Sequence, residues 1–401
     1  MNIVLVSQEY PPETAHGGIA TQTYTKALGL SDLGHNIYVI SHSTDGKRHE
    51  KRDSGIQVIR IPGMDEKLSE MTEIVRWITY SMLVAEEIEL LQSKLDIDII
   101  DFPEWAAEGY LYLLNRREWS SIPVVIQLHG PLVMFGHKMD WPDMQSPFYQ
   151  TGIHMEATCV QQADAVYSSS KCSAQWIRQH YQPQEKEIPV IHVGVDTTFF
   201  KPLPVEKYPN PTIIFTGKIV PNKGVAELVE AASHMSKDIP GLRLKMFGKG
   251  ENSFILKLRE TARQFEAPDL LDFPGFIPMD ALPEHLSRAH VFAAPSWYEG
   301  GPGFVYLEAM ACGLPVIGCS GSGMDENIID GQNGFQVPPK NVADLELALR
   351  KLLSDRDTLA TMGRNARNYV VTHCDRKKCI KKLEEYYLQV ISDHTVKTDQ
   401  F

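Results

Sequence analysis

Residues 296–334 read SWYEGGPGFVYLEAMACGLPVIGCSGSGMDENIIDGQNG, and this stretch decides the fold that we expect for the chain. Two carboxylates, Glu299 and Glu308, flank a Gly-Gly-Pro-Gly turn. An apolar segment, a short β-type run and a second glycine-rich turn follow it. This order predicts strand, loop, helix, strand and loop. Such a unit is typical of an α/β domain with a parallel sheet.

The turn and the helix after it predict an anion-binding site. Gly301 and Gly303 let a ligand approach the main chain, because glycine has no side chain. The predicted helix over residues 304–312 starts with the amides of Phe304 and Val305, and free amides at a helix start attract phosphate. The carboxylate one turn later, at residue 308, can accept hydrogen bonds from the hydroxyls of a ribose. The alternative is a buried crossover whose glycines serve only tight packing.

Length and composition indicate a soluble protein of two or three domains. The chain has 401 residues, of which 43% are hydrophobic and 22% charged, as is ordinary for globular proteins. An apolar strand follows Met1 directly, no apolar run reaches the length of a membrane span, and the cysteines lack metal-type spacing. We therefore predict a cytoplasmic protein with no transmembrane segment, no metal site and no cofactor.

The net charge of −12 argues against nucleic acid as a partner. The first 198 residues carry a net charge of −11 and the remainder carries −1. Docking on anionic lipid through the acidic half is unfavourable, so membrane association is not expected. The acidic half suits a neutral or cationic small molecule, although a solvated surface is the simpler explanation. Nothing in the sequence indicates an oligomeric state.

The first half of the chain alternates strands and helices. After the strand at residues 2–6, Gly17 and Gly18 form a loop that leads into a predicted helix. The three-glycine spacing of the dinucleotide fingerprint is absent. Further strands are predicted over residues 36–41, 56–61, 95–102, 124–128 and 164–168. Helices are predicted over residues 19–30, 70–95, 153–162 and 170–181, whereas residues 132–148 show no clear period.

Polar and aromatic side chains follow the carboxyl ends of these strands, where ligands bind in open α/β sheets. Tyr10, Glu104 and Trp105 are therefore candidates for an acceptor site, together with the aromatic residues of the 132–148 segment. His129 ends another strand directly before Gly-Pro, and both a structural and a functional role are open for it. The Asp-Ile-Asp sequence at residues 96–98 is interpreted as the start of a buried strand rather than a metal site.

The second half repeats the alternation after a proline-bearing connector over residues 199–211. The loop after its first predicted strand carries Gly217, Lys218 and Lys223, on the same edge of the sheet as residues 296–334. Two ammonium groups opposite a helix start can clamp a diphosphate. Either lysine alone is more simply an ordinary surface residue.

Taken in chain order, these motifs resemble the family-4 retaining glycosyltransferases of the GT-B fold (glycosyltransferase group 1 type), over essentially the full length. The resemblance rests on Gly17-Gly18, His129-Gly130, residues 193–196, Gly217-Lys218, Lys223-Gly224 and residues 299–313. It implies an α/β fold of two facing Rossmann-like doubly wound domains with a cleft between them. An acceptor-binding domain would span residues 1–198, with a C-terminal crossing helix at about 376–401. A nucleotide-sugar-binding domain would span residues 199–375.

The resemblance also implies a hexosyltransferase of carbohydrate biosynthesis that moves a sugar from a nucleoside diphosphate sugar to a hydroxyl of a small molecule or glycan. Transfer would retain the anomeric configuration and need no metal. The residues implied in catalysis are His129, Lys218, Lys223 and Glu299. Those implied in donor binding are Gly17, Gly18, Gly217, Phe276, Ile277, Gly301, Gly303, Phe304, Val305 and Glu308.

Two features depart from the family pattern. Glu299 and Glu308 are nine positions apart, one more than in the family, and Lys218 stands where many members have Arg. The ammonium of Lys218 is then a single point charge, where the guanidinium of Arg would make two parallel hydrogen bonds. Two alternatives stay open: a GT-B sugar-nucleotide epimerase, or a non-catalytic sugar-nucleotide-binding protein. The donor base (uridine, guanosine or adenosine) and the acceptor are also open.

Overall fold

The computed structural model describes residues 1–14, 17–62, 73–116, 122–183 and 187–398. The chain divides into two compact units: unit 1 is Met1–Val193 with Arg376–Phe401, and unit 2 is Gly194–Asp375. The first boundary precedes the predicted position at residue 198. The reason is that the Val195 N–H donates to the Cys374 carbonyl (2.8 Å), which ties the chain from there onward to unit 2.

Unit 1 is built on a seven-stranded sheet. Its strands are β1 (Asn2–Val6), β2 (Asn36–Ser43), β3 (His49–Asp53), β4 (Ile56–Pro62), β5 (Ile99–Pro103), β6 (Val124–Leu128) and β7 (Ala165–Ser168). Their order is β3-β4-β2-β1-β5-β6-β7, and every neighbouring pair is parallel except the antiparallel pair β3 and β4. The sequence did not predict β3, because its residues HEKRD lie at the sheet edge and lack an apolar alternation.

In the described ranges of unit 1, six α-helices precede the connector. They are α1 (Gly18–Asp32), α2 (Glu73–Gln92), α3 (Tyr110–Asn115), α4 (Leu132–Met139), α5 (Pro147–Gln162) and α6 (Lys171–His180). The 132–148 segment is thus largely helical, contrary to the sequence interpretation. Helix α5 starts six residues before its predicted position, since the Ser146 hydroxyl accepts from the Tyr149 N–H (3.2 Å) and Pro147 suits a first turn. The predicted helix start at residues 70–72 lies outside the described residues.

Unit 2 contains a second, fully parallel sheet. Its strands are β8 (Thr212–Thr216), β9 (Arg243–Phe247), β10 (Leu271–Gly275), β11 (Val291–Ala293), β12 (Val316–Cys319) and β13 (Gly334–Val337), in the order β10-β9-β8-β11-β12-β13. Its helices are α7 (Val225–Met235), α8 (Asn252–Gln264), α9 (Leu282–Arg288), α10 (Phe304–Ala311), α11 (Val342–Ser354) and α12 (Arg356–His373). Each unit has its own buried apolar core.

The strand order reverses at one place in each sheet. In unit 1 the chain builds outward from β1 on one side and then from β5 on the other, and in unit 2 it does the same from β8 and β11. Open α/β sheets bind ligands beside the carboxyl ends of the strands at such a reversal. The loops after these four strands are therefore where the fold favours a site.

The last helix, α13 (Arg376–Thr398), returns to unit 1. It packs closely on α1, because a side chain at Gly29 would overlap Ile380. Its Tyr387 hydroxyl donates to the Asp101 carboxylate on β5. The helix continues past residue 390, where the sequence predicted its end, and residues 399–401 lie outside the described residues. No helix in the described part of the chain is both long and apolar enough to cross a membrane.

A buried polar cluster lies beneath the sheet reversal of unit 1. The Lys26 ammonium donates to Asp101 (2.8 Å), to the Gln127 side-chain oxygen (2.7 Å) and to the Tyr167 hydroxyl (3.2 Å). Burial lowers the pKa of Lys26, while the Asp101 carboxylate opposes this shift. The cluster joins α1, three strands and, through Tyr387, the last helix.

Candidate functional site

The loops after β8 and β11 are held against each other at the strand reversal of unit 2. Gly224 has a left-handed backbone (φ 66°), and any side chain there would overlap the carbonyl of Pro295. The Trp297 N–H donates to the Asn222 carbonyl (3.0 Å). The Trp297 indole N–H donates to Glu227 on α7 (2.9 Å). The sequence did not predict these contacts, although Lys223-Gly224 was among the motifs it singled out.

These two loops bring Lys223 and Glu299 together. The Lys223 ammonium donates to the Glu299 carboxylate, and the two side chains are 29% and 21% exposed. The longer glutamate spacing thus leaves Glu299 within reach of a predicted catalytic lysine. Lys218 is exposed, and within the described ranges its ammonium makes neither a hydrogen bond nor an ion pair. The site therefore combines one paired and one unpaired ammonium group.

The Gly-Gly-Pro-Gly turn is fixed from both ends. Gly303 is left-handed (φ 65°) immediately before α10, where a side chain would overlap the Tyr306 ring. The Tyr306 hydroxyl donates to the Ala294 carbonyl at the end of β11. On the other side, the Gly323 N–H donates to the Glu299 carbonyl (2.7 Å). These contacts give the turn a defined shape.

The start of α10 presents groups that suit an anion. Gly301, Gly303, Phe304 and Val305 are partly exposed, so a ligand can reach their backbone. The first amides of a helix have no partner within the helix, and they carry the positive end of its dipole. The phosphate-binding role of this turn and helix stays a prediction, with which their exposure is compatible.

Glu308 lies one turn into α10 and is 8% exposed. Burial raises its pKa to about 7. Its side chain has no hydrogen-bond partner in the part of the chain that the structure describes. A buried carboxylate without a partner is costly unless a ligand supplies donors. Two hydroxyl groups of a bound ribose would supply them.

The loops after β8, β9 and β10 lie edge to edge. Gly217 and Gly248 both have positive φ, and a side chain at Gly248 would overlap the Gly217 carbonyl. Beyond β10, Phe276 is 71% exposed and Ile277 is half-buried. The Lys249 ammonium lies 5.8 Å from the Phe276 ring centre. An exposed aromatic ring beside three close loops gives a flat group such as a nucleobase a surface on which to stack.

In unit 1, His129 directly follows β6 and is buried. Its Nδ1 atom has no hydrogen-bond partner among the described residues. Burial, with a smaller effect of the Lys26 charge, lowers the pKa of His129 to about 3. The imidazole is therefore neutral at physiological pH. It can exchange a hydrogen bond with a ligand, but it does not carry a charge to it.

Glu104 binds the backbone of the loop that follows β6 and contains His129. Its carboxylate accepts the N–H groups of His129 (2.7 Å) and Gly130, and the side chain is fully buried. Burial raises the pKa of Glu104 to about 7, although the amides of Gly130 and His129 oppose this shift. The acceptor role predicted for Glu104 does not agree with this position, because the carboxylate is occupied by the backbone. Glu104 supports the loop instead.

Glu108 is the counterpart of Glu104 that sequence reasoning missed. Both of its carboxylate oxygens accept from the Gln8 N–H (3.1 Å each) in the loop after β1. The turn between the two glutamates contains Ala106 and Ala107, both with positive φ. Burial raises the pKa of Glu108 to about 8. The only local signal was a second glutamate four positions after the first.

Tyr10 is 1% exposed, so the structure does not support it as an acceptor-binding residue either. Its carbonyl accepts from the Arg60 guanidinium (2.8 Å), which also donates to the Pro11 carbonyl (3.2 Å). Arg60 therefore shapes the loop after β1, which leads to Gly17 and Gly18. These two glycines are exposed at the start of α1, in keeping with a role in ligand binding.

Trp105 is the acceptor candidate that keeps an accessible position. It is half-buried, and its ring packs against Trp77 (5.7 Å between ring centres), Phe135 (5.3 Å) and Trp141 (6.4 Å). Trp141 is 46% exposed. An aromatic cluster thus extends from the core of unit 1 to its surface, beside the residue that supports His129.

The described residues contain no group of three or more His, Cys, Asp or Glu side chains that could hold a metal ion. At the Asp-Ile-Asp sequence, Asp98 accepts from the Asn2 N–H (2.6 Å) and the Asp96 carbonyl accepts from the Asn2 side chain (2.6 Å). These contacts agree with a structural role at the start of the strands. None of the six cysteines forms a disulfide.

Two family models match the chain, one to each half. Residues 16–199 match the model described as Glycosyltransferase Family 4, and residues 196–369 match the model of Glycosyl transferases group 1. Glycogen synthase of Mycobacterium tuberculosis is 25% identical, over 97% of this chain and 94% of the relative. A GDP-mannose-dependent alpha-(1-6)-phosphatidylinositol monomannoside mannosyltransferase of Mycolicibacterium smegmatis is 27% identical, over 92% and 94%.

Solved structures agree with the fold. Sucrose-phosphate synthase from Thermosynechococcus elongatus has a TM-score of 0.80 at 20% identity and covers 98% of this chain and 99% of that one. Anabaena Alr3699/HepE in complex with UDP-glucose has a TM-score of 0.73 at 19% identity, over 97% and 100%. At these identities the likeness is one of fold, and it confirms two parallel-sheet α/β domains of the GT-B type.

Proposed function

Because the chain belongs to the family-4, group 1 glycosyltransferases of the GT-B fold, we propose that it transfers a sugar from a nucleoside diphosphate sugar to an acceptor hydroxyl, with retention at the anomeric carbon. The observation that carries the proposal is the convergence of Lys223, Glu299 and the start of α10 at the strand reversal of unit 2. The HepE complex with UDP-glucose supports a nucleotide sugar as donor.

Each part of the donor matches a group in unit 2. The diphosphate pairs with the ammonium groups of Lys218 and Lys223 and with the first amides of α10. The ribose hydroxyls donate to the buried Glu308 carboxylate, and the base lies against the backbone at Phe276. Glu299 and the turn after it contact the transferred sugar. Positive charge thus surrounds the phosphates, and an acceptor-only group meets the hydroxyls.

The chemistry follows from where charge develops. The bond between the anomeric carbon and the diphosphate oxygen breaks, and the leaving diphosphate gains negative charge that Lys218, Lys223 and the helix start stabilise. A bond forms between that carbon and the acceptor oxygen on the same face. The acceptor proton passes to the leaving diphosphate oxygen. The proposed reaction requires neither an enzyme nucleophile nor a metal.

Unit 1 supplies the acceptor side of the proposal. Trp105 and the exposed ring of Trp141 give the acceptor an aromatic surface. His129 offers a neutral imidazole nitrogen that has no partner among the described residues, suited to a sugar hydroxyl rather than to a phosphate. Glu104 acts through the His129 loop and is a positioning residue.

The first prediction concerns Lys223. Replacing Lys223 by Ala removes a charge that stabilises the leaving diphosphate, so we expect donor turnover to fall by about 10²–10³-fold. Turnover is measured as release of nucleoside diphosphate from the sugar nucleotide that most raises the melting temperature in a thermal-shift screen of uridine, guanosine and adenosine donors. Retention of the wild-type melting temperature shows that the variant is folded.

The matched control is Lys257→Ala, which removes an exposed lysine from α8 of the same unit. It should leave turnover within about twofold of wild type, since exposed charges away from a site contribute little. Near-normal turnover in Lys223→Ala would rule out the proposed diphosphate contact. Formation of an epimerised sugar or sugar nucleotide in the absence of any acceptor would favour an epimerase instead.

A further inference from the structure

The ion pair between Lys223 and Glu299 joins two backbone segments that other contacts already fix. On the lysine side, the Asn222 carbonyl accepts from Trp297 (3.0 Å), and Gly224 lies against Pro295. On the glutamate side, the Glu299 carbonyl accepts from the Gly323 N–H (2.7 Å). Neither loop needs the ion pair in order to keep its position. The pairing of these side chains is therefore a property of the site and not the means by which its loops are held.

The pair sets the charge that an incoming diphosphate meets. Lys218 offers an ammonium with no partner in the part of the chain that the structure describes, whereas the charge of Lys223 is compensated by a carboxylate. Both partners of the pair are partly exposed, so solvent screens their attraction and the pair separates at low cost. A diphosphate that binds Lys223 must displace Glu299, and the carboxylate then stays close to the bound phosphates.

We propose that Glu299 is the resident counter-ion of Lys223, and that it makes the site discriminate against the nucleoside diphosphate product in favour of the sugar nucleotide. The inference rests on the proposed function. Its chemical basis is that the terminal phosphate of a nucleoside diphosphate carries about one more negative charge than the same phosphate esterified to a sugar. A carboxylate beside this phosphate repels the product more strongly than the donor.

The cost of displacing Glu299 from Lys223 and the repulsion between its carboxylate and the terminal phosphate both weaken binding of the nucleoside diphosphate. Both therefore favour release of this product after transfer. For the donor, the sugar hydroxyls can donate hydrogen bonds to the displaced carboxylate, which offsets the lost ion pair. Glu299 therefore acts at two stages of the proposed reaction. It pairs with Lys223 before the diphosphate binds, and it weakens binding of the nucleoside diphosphate after the sugar has been transferred.

The test is calorimetric titration of wild type and Glu299→Gln with uridine, guanosine and adenosine diphosphate, and with the corresponding sugar nucleotides. Glutamine keeps the size of the side chain and removes its charge. We expect the preferred nucleoside diphosphate to bind the variant about tenfold more tightly, with a smaller gain or a loss for the sugar nucleotide. Inhibition of donor turnover by added nucleoside diphosphate should rise in parallel. Unchanged or weaker binding of the nucleoside diphosphate would overturn the inference.

Two further variants separate a local effect from a general one. Glu260→Gln removes an exposed acid from α8 and should leave both affinities unchanged, because solvent screens a surface charge outside the loops of the site. In a Lys223→Gln background, Glu299→Gln should lose the part of its effect that comes from freeing Lys223 and keep the part that comes from repulsion of the terminal phosphate. A full effect in that background would mean that Glu299 does not act through Lys223.

The failure of the inference differs from the failure of the proposed function. If wild type binds none of the three nucleoside diphosphates or their sugars, the proposed function is wrong and the inference falls with it. If wild type binds them and Glu299→Gln does not shift the ratio of the two affinities, only the counter-ion role is wrong. Melting temperatures of all variants show whether each is folded.

Discussion

Burial sets the charge state of the side chains at the candidate sites. Glu308 and Glu104 are both buried carboxylates with a pKa raised to about 7, yet Glu104 is occupied by two backbone amides and Glu308 has no partner among the described residues. His129 is shifted the opposite way, to a pKa of about 3, because burial disfavours the charged form of each group. The same physical effect therefore acts on Glu104, which supports a loop, and on Glu308, for which we propose a ligand contact.

The raised pKa of Glu308 predicts that donor affinity depends on pH. Only the ionised carboxylate accepts hydrogen bonds from both ribose hydroxyls. At a pH below the folded-state pKa of about 7, donor binding must therefore first release the proton of Glu308. The affinity for the preferred sugar nucleotide should fall by up to about tenfold per pH unit below 7 and level off above it. The measurement is calorimetric titration between pH 6 and pH 8.5, where the sugar diphosphate itself does not titrate.

Glu308→Gln should bind the donor more weakly at pH 8 and lose the pH dependence. Wild type should also lose stability as the pH rises from about 4.5 to about 7, whereas the variant should not. The reason is that a carboxyl whose pKa is raised on folding makes the folded protein less stable as the pH rises from the unfolded-state pKa to the folded-state pKa. A pH-independent affinity in wild type would contradict a ribose contact by this carboxylate.

The loops after the strands decide the shape of the site at the scale of secondary-structure elements. Local sequence patterns predicted β4, β6 and α10 close to their observed bounds, because alternation and helical spacing are local properties. Helix α4 was missed, since its aromatic and methionine residues are apolar around much of its circumference and give no period. Strand β3 was missed for the opposite reason, being polar at a sheet edge.

Gly224 provides a test of the contact between the β8 and β11 loops. Gly224→Ala requires a left-handed alanine and also a displacement of the Pro295 carbonyl, so we expect it to lower the free energy of unfolding by about 3 kcal/mol or more. It should also weaken nucleotide binding, because Lys223 is the preceding residue. Urea denaturation and calorimetric titration measure the two effects.

The matched control is Gly331→Ala. Gly331 has a similar left-handed backbone (φ 72°) but open space where the added carbon would lie. It should cost only the backbone strain, about 1–2 kcal/mol, and leave nucleotide binding unchanged. Equal losses of stability in the two variants would show that the close approach at Pro295 is not what requires glycine.

At the scale of the whole molecule, the chain forms unit 1 from segments at both ends of the sequence. Helix α13 contributes the Tyr387 hydroxyl to the buried Asp101 carboxylate, and Asp101 also accepts from Lys26 and Tyr167. Buried polar clusters of this kind are sensitive to the loss of any member, because the remaining groups stay desolvated. The C-terminal segment is thus part of the folding unit that contains His129.

Tyr387→Phe should therefore destabilise unit 1 in particular. We expect a loss of about 1–3 kcal/mol in the transition of that unit, since Asp101 loses a donor it cannot replace with water. Scanning calorimetry should show this shift, with unit 2 unfolding as before. Tyr369→Phe is the control, because its hydroxyl donates to the Glu326 carbonyl within unit 2 (3.3 Å). A shift of the unit 2 transition by Tyr387→Phe would contradict the assignment of α13.

The sequence by itself determined the two alternating α/β units, the glycine-bearing turns and the candidate residues Lys218, Lys223 and Glu308, because hydrophobic period and glycine content are local properties. Only the tertiary structure decided that Glu104 holds a loop, whereas Glu308 has no partner among the described residues and is left for the proposed ribose contact. Lys223 meets Glu299 across 76 positions of sequence, and Asp101 meets Tyr387 across 286. Such contacts depend on how strands are ordered and how deeply each side chain is buried, and no local pattern carries that information.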